Sequence, residues 1–233
     1  MRNTFTFDGV TSSSYGVYIS GGGTFNAAPR DFDVVEVPGK NGALTMDNGR
    51  FELIKHEYDA FVIPPFDTNA QGLRNALMAR RGFKRLTDTY HTDEFYKAYF
   101  ENGLSFEPSQ NLKEGRMRIS FMRDPRRFLT SGETPTTATT LSNPTLFASR
   151  PLIRVVGYGT VGVGSTTITI AQHANAYIDI DCEIMDCFYG VLNCNNLVSF
   201  SNGEFPVLEP GSNGVTKSSG ITSVTITPRW WRL

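Results

Sequence analysis

Val34-Val35-Glu36-Val37, Pro38-Gly39-Lys40-Asn41-Gly42, Asp47-Asn48-Gly49-Arg50 and Phe51-Glu52-Leu53-Ile54-Lys55-His56-Glu57-Tyr58 follow one another in the first third of the chain. The first and last runs read as extended strands, and the two segments between them are turn clusters. Asn-Gly supplies the positive φ angles that hairpin turns require. The stretch from about 30 to 63 therefore predicts a long β-hairpin arm with an irregular tip. Over Phe51 to Tyr58 the alternation favours neither face, so the arm is expected to be semi-polar on both sides. Such an arm is poorly buried by its own protomer and finds its partner on another chain. Lys40, Asn41, Gly42, Asn48, Gly49 and Arg50, in the two turn clusters, are the candidate inter-subunit contacts.

Outward from the arm, short strands dominate. Phe5 and Phe7 share a face before the Asp8-Gly9 turn, and Val17-Tyr18-Ile19 is a second short strand. One helix is expected at about 68–81: Asp67 or Thr68 can cap it, Leu73, Ala76 and Leu77 recur at helical spacing, and Gly82 ends it behind two arginines. Phe83 to Leu86, Phe95 to Phe100 and Met117 to Met122 read as strands. In the last, Met117, Ile119 and Phe121 alternate with Arg118 and Ser120, a half-buried pattern. Composition shifts at Thr130-Ser131-Gly132-Glu133-Thr134-Pro135, which marks a domain boundary. Beyond it lie only strands and turns, spaced as in an antiparallel sandwich. The expected fold is mainly β: a β-sandwich-like domain over 1–130 with one α-helix and a β-hairpin arm, then a β-sandwich over 131–233.

Composition narrows the function. The 233 residues carry a formal net charge of −1, whereas proteins that track phosphate backbones carry a basic excess. Specific nucleic-acid binding is therefore not expected. No run approaches the ~18 apolar residues of a membrane span, and the alternating start has no apolar core of a secretory signal. The three cysteines, Cys182, Cys187 and Cys194, form no even disulfide framework, which suits synthesis in a reducing cytosol.

No constellation outranks its structural reading. His91, Asp93 and Glu94 are read as a solvated loop, because His56 and His173 supply no ligand spacing. The cysteines are read as core thiols. Asp179, Asp181 and Glu183 are expected on a solvated strand face, with calcium a minor option. Gly157-x-Gly159 precedes a β-rich Ser165–Ile170 run and so marks a tight hairpin in place of a phosphate loop. Arg116, Arg118, Arg123, Arg126 and Arg127 suit a subunit contact as well as a polyanion site. Trp230-Trp231 is expected to dock on its own domain, with a sugar-stacking platform as the alternative. No catalytic, metal or cofactor residues are assigned, and no enzymatic activity is expected.

The ordered motifs do carry a resemblance. Phe5-x-Phe7-Asp8-Gly9-Val10-x-Ser12-Ser13-x-Tyr15-Gly16-Val17, Arg30-Asp31 and Val37-Pro38-Gly39-Lys40-Asn41-Gly42 resemble the start of the distal tail proteins of siphophages. Arg150-Pro151-Leu152-Ile153-x-Val155-x-Gly157-x-Gly159 resembles the start of their C-terminal galectin-like sandwich. Asp179-x-Asp181-Cys182, Asn193 through Asn196, Gly203-Glu204-Phe205-Pro206-x-Leu208-x-Pro210-Gly211-x-Asn213 and Val224-Thr225-Ile226-x-Pro228-Arg229-Trp230 are similar to its later strands. The resemblance implies a homo-oligomer, a hexameric ring at the tip of a long non-contractile tail. The ring would join the tail tube protein to hub, fibre or receptor-binding proteins, around a lumen through which DNA passes. It implies a virion protein of the tail tip or baseplate, made in the bacterial host cytoplasm, without cofactor. Two readings compete: a carbohydrate-binding module on the C-terminal sandwich, and a wall hydrolase, which would need a carboxylate pair in a cleft.

Overall fold

Described in a computed structural model over residues 2–21, 26–101, 104–109 and 115–233, the backbone divides into two units. One runs to Arg127 and includes Leu233; the other is Phe128–Arg232. The first contains β1 (Phe5–Phe7), β2 (Val10–Thr11), β3 (Val17–Ser20), β4 (Arg30–Glu36), β5 (Ala43–Phe51), β6 (Ile54–Val62), α1 (Phe66–Met78), β7 (Lys84–Asp88), β8 (Glu94–Tyr99), β9 (Ser105–Pro108) and β10 (Gly115–Arg123). Its main antiparallel sheet has the order β2-β1-β7-β8-β10-β6-β3, with β9 paired to β10. Asn3, just ahead of β1, bridges Ile19 of β3. The two ends of the sheet thus meet, and the sheet is rolled around one core.

Strict alternation builds that core. In β10, Met117, Ile119 and Phe121 point inward while Arg116 and Arg118 point out, because successive side chains leave opposite faces of a strand. Strand β6 pairs with β10 over its full nine residues, Ile54 opposite Arg123 through Val62 opposite Gly115. Phe5 stacks on Tyr58 at 5.5 Å and meets Phe121 edge-on at 5.6 Å. Helix α1 adds Phe66, Ala70, Leu73 and Leu77, a spacing of four, three and four that places them on one stripe.

Two expectations need correction here. The helix spans Phe66–Met78 where 68–81 is predicted. It starts early because Pro65 stands at the cap and buried Phe66 anchors the first turn; Asp67 sits inside that turn, facing the positive end of the dipole. It stops early because the chain tightens: Arg80 N–H donates to the Leu77 carbonyl, and the Arg80 guanidinium caps the Ala76 carbonyl. The second correction concerns the arm. β4 pairs with β5, Val34 opposite Thr45 and Glu36 opposite Ala43, so the hairpin is Arg30–Phe51. The run from Ile54 to Val62 lies in the main sheet, with Ile54, His56, Tyr58, Ala60 and Val62 buried. A buried histidine on the inner face disguised the alternation. Asp47-Asn48-Gly49-Arg50 is not a chain reversal. Gly49 takes φ +68 and donates its N–H to the Asp47 carboxylate at 2.8 Å, where the β4–β5 register shifts; it marks a bulge.

The second unit contains β11 (Arg127–Leu129, its first residue shared with the unit before), β12 (Thr140–Asn143), β13 (Leu152–Gly157), β14 (Gly159–Val163), β15 (Thr166–Ile170), β16 (Ile178–Asp181), β17 (Asp186–Tyr189), β18 (Leu192–Asn193), β19 (Val198–Phe200), β20 (Gly211–Lys217), β21 (Ile221–Thr227) and β22 (Trp231–Arg232). Strand β11 pairs with β22; the rest make two antiparallel five-stranded sheets, β12-β20-β14-β15-β19 and β18-β17-β16-β13-β21. Ile153, Val155, Val161, Val163, Ile168, Ile170, Ile178 and Ile180 fill the space between them. Gly157 and Gly159, with φ +103 and +132, carry the chain from one sheet to the other, and the β14–β15 hairpin turns at Gly164. The threonine-rich stretch belongs to this unit: Thr130–Glu133 is a 3-10 turn, and Gly132 lies against the Trp230 backbone with no room for a Cβ. The unit accordingly begins at Phe128, three residues before the expected 131.

Candidate assembly arm and buried polar clusters

The arm is a two-stranded sheet separate from the rest of its unit. None of the residues of β4 and β5 is buried. Cross-strand register assigns the faces: Phe32, Val34, Glu36, Ala43, Thr45 and Asp47 on one, Asp33, Val35, Leu44 and Met46 on the other. Val34 and Met46 are 63% and 62% exposed, Phe32 48%. Exposed apolar side chains thus stand on both faces of the arm, interleaved with Glu36, Thr45 and Asp47 on one and Asp33 on the other. Polar contacts concentrate at the base. Arg30 pairs with Asp47 at 2.9 Å and sits over the Phe51 ring. Arg50 pairs with Asp31, and that hydrogen bond holds the Asp31 carboxyl below its usual range.

The six candidate contact residues fall into two groups. Lys40, Asn41 and Gly42 lie in the reversal, where Lys40 N–H donates to the Val37 carbonyl. Asn48, Gly49 and Arg50 lie at the base, six residues along an extended strand, about 20 Å away. The fold does not bring them together. The apolar residues Phe32, Val34, Val35, Leu44 and Met46 are the functional candidates that turn chemistry missed. Their signal was present in the adjacent Val34-Val35 and in the Leu44-x-Met46 alternation.

His91 and Glu94 are not in a solvated loop. Asp88, at the end of β7, accepts the Tyr58 hydroxyl at 2.8 Å and the backbone N–H groups of Tyr90 and His91 at 2.9 Å each. His91 Nδ1 is 3.3 Å from the same carboxylate and 3.4 Å from the Tyr96 hydroxyl. Glu94 is buried and ion-paired with Arg127 at 2.7 Å. His56 lies in the same cluster, 1% exposed, its Nε2 4.0 Å from Asp88. Burial first, then the charge of Arg123, pulls His56 down to about 4, so it is neutral. Burial pushes Tyr58 well above its usual value and Tyr96 to about 12. The cluster is a packed polar core, and among the described residues the cavity beside it, near His91, Tyr96 and Arg123, holds about 110 Å³. Loop residues reach it because Asp88 gathers donors from its own turn.

The acidic run is likewise not a solvated face. Asp179 and Asp181 are buried, and each takes a bidentate arginine: Arg154 at 2.7 and 2.8 Å, Arg229 at 2.7 and 2.9 Å. Burial raises the Asp181 carboxyl, but the Arg229 hydrogen bonds win and hold it below the usual range. Among the described residues no three His, Cys, Asp or Glu are grouped to hold a metal ion. Cys182, Cys187 and Cys194 are free and buried, and burial pushes Cys182 and Cys187 up to about 12. Trp230 is in the core. Trp231 stacks on Phe147 at 4.5 Å and donates its indole N–H to the Ala148 carbonyl. The arginines of β10 and beyond scatter: Arg118 faces out with Asp59, Arg123 is buried, Arg126 pairs with Asp124.

No protein-family profile matches the chain, and no curated protein sequence does. Solved structures do match in fold. The SPP1 Dit (gp 19.1) protein, described as a paradigm of the hub adsorption apparatus in Gram-positive infecting phages, aligns over 100% of both chains with a TM-score of 0.72 and 15% identity. A chain of the phage P2 baseplate in its activated conformation aligns over 97% of each chain, at TM-score 0.52 and 9% identity. The motif resemblance and the fold likeness point the same way, and the fold of this chain is that of the SPP1 Dit protein from end to end.

Proposed function

We propose that this chain is a structural protein of a phage tail tip, a distal tail or baseplate hub that assembles as a homo-oligomeric ring. The observation that carries the reading is the arm, unburied and with exposed apolar side chains on both faces, on a fold matched along its whole length by a phage hub protein. Covering what remains exposed of Phe32, Val34, Val35, Leu44 and Met46 would contribute on the order of 1 kcal/mol per side chain, repeated at every subunit of a ring. Closed symmetry suits such head-to-tail contacts. In this reading the ring is hexameric and surrounds a DNA conduit. It joins the tail tube to the hub, fibre or receptor-binding proteins, and is made in the host cytoplasm. A net charge of −1 suits a lumen that lets DNA pass without gripping it. The galectin-like sandwich would serve as an attachment domain. No catalysis is assigned.

Electron microscopy of the purified chain at high concentration tests this directly. Closed rings of one symmetry are expected, and a strictly monomeric chain at every concentration would sink it. A carbohydrate-binding module on the second unit predicts glycan binding through an exposed aromatic. Trp231 has one face stacked on Phe147 and its indole N–H satisfied, which speaks against it as the platform; a glycan array without hits retires that reading.

A further inference from the structure

The edge of the second unit holds a pair of thiols that neither the assembly role nor the core requires to be cysteine. In β17–β18 Phe188 is opposite Asn193 and Tyr189 opposite Leu192. The next pair in that register is Cys187 and Cys194. One bond of that pair is made, Cys194 N–H donating to the Cys187 carbonyl at 2.7 Å, while Cys187 N–H donates to the Asn195 side-chain oxygen at 2.8 Å. Both side chains are buried in the same core layer, 1% and 2% exposed. Opposed residues at a hydrogen-bonded position of an antiparallel pair have Cα atoms about 5.5 Å apart, within the roughly 4.4–6.8 Å that a disulfide spans. Cys182 is placed differently. The residue paired with Cys187 is Ile180, so Cys182 stands opposite neither thiol.

We propose that Cys187 and Cys194 are an oxidisable cross-strand pair that closes to a disulfide with a low-molecular-weight disulfide as oxidant, stapling the edge hairpin. In the closed hairpin the pair is protected: both sulfurs are buried, and burial holds the Cys187 thiol at about 12, whereas the thiolate is the nucleophile. Access comes from the edge. β18 has two residues and ends the sheet order, residues 190–193 are all exposed, and Val191 is 100% exposed; short, unpacked edges of this kind open locally at low cost. In the opened hairpin one cysteine loses its proton and attacks a sulfur of the small disulfide, whose S–S bond breaks. A mixed disulfide forms and one small thiolate leaves. The second cysteine, also deprotonated, attacks the protein-side sulfur and expels the second small thiolate. Two protein thiols are oxidised by two electrons, the small disulfide is reduced to two thiols, and these take up the two protons. The chain would remain reduced in a cytosol and become stapled in an oxidising medium.

The test is incubation of the folded full-length chain with oxidised glutathione, followed by unfolding, alkylation and peptide mass spectrometry. The expected result is a fall from three alkylated cysteines to one, Cys182, with a linked Cys187–Cys194 peptide lighter by two hydrogen atoms. A Cys182→Ser chain should form the same link, and a Cys194→Ser chain should stop at the glutathione adduct or stay free. Three alkylated cysteines after prolonged incubation, or a Cys182–Cys187 link, would overturn the proposal. The outcome is independent of whether the chain forms a ring.

Discussion

Acid should weaken the first unit through His56, and the structure sets both the sign and the size. The ring is 1% exposed, neither nitrogen has a hydrogen-bond partner, and Tyr58 and Tyr96 pack on it at 4.6 and 5.1 Å. Protonating it would bury a cation beside Arg123, offset only in part by Asp88 at 4.0 Å. Its folded value of about 4 lies below the 6.5 of a free histidine. Between those values the unfolded chain binds a proton that the folded chain refuses. Stability is therefore full above pH 6.5, declines as the pH falls toward about 4, and loses nothing more from this group below that. At 1.36 kcal/mol per pKa unit, the loss from about pH 8 to about pH 4.5 is roughly 2–3 kcal/mol. Native-state hydrogen exchange, read peptide by peptide and corrected for intrinsic rates, measures it, with a His56→Phe chain as reference because other carboxylates titrate in both proteins. The opening free energy of β6 and β10 peptides should fall with acid by that much more in the parent chain than in the variant. Peptides of the second unit should show no difference between the two. Parallel pH profiles in β6 and β10 would refute the neutral, unpartnered histidine.

Other predictions probe the remaining links. Val34→Glu with Met46→Glu, one on each arm face, should leave the stability of the first unit within about 0.5 kcal/mol while light scattering shows the oligomer mass falling toward the monomer; an unchanged mass would remove the arm from the assembly. Leu77→Ala, at a fully buried site of α1, should cost about 2–5 kcal/mol, seen as earlier loss of exchange protection in the first unit. Asp181→Asn leaves the Arg229 guanidinium without its bidentate partner and should cost about 3 kcal/mol, and Arg154→Ala, which strands the buried Asp179 carboxylate, should cost a similar amount, about 3 kcal/mol. Both Trp residues lie in the second unit, so urea midpoints followed by tryptophan fluorescence compare the two variants directly.

Particular residues show why some of this was legible and some was not. Met117, Ile119 and Phe121 alternate with polar residues, and alternation survives folding because the pleat enforces it. The same rule failed at β6, where His56 occupies an inner position that a polarity pattern assigns to water. Asn48-Gly49 was readable as a positive-φ site, but the same backbone conformation serves a hairpin turn and a bulge; the register of β4 against β5 decides between them. Burial of Asp179 and Asp181 was hidden because their arginine partners stand 25 and 48 residues away in the chain. A charge that is ion-paired at such separation looks like a solvated one until the chain is folded.

By itself the sequence determined a mainly β, two-part chain with one helix, an arm between its first strands, buried thiols and an order of motifs that resembles phage distal tail proteins. Those properties follow from local chemistry: side-chain periodicity, turn residues and composition act within a few positions of one another. Only the tertiary structure decided which strands pair, that the arm is Arg30–Phe51, unburied with exposed apolar side chains on both faces, that His91 and Glu94 belong to a packed polar core, and that Cys194 hydrogen-bonds to Cys187 across the edge hairpin. Each depends on contacts between residues far apart in the chain, whose burial and register no local pattern specifies.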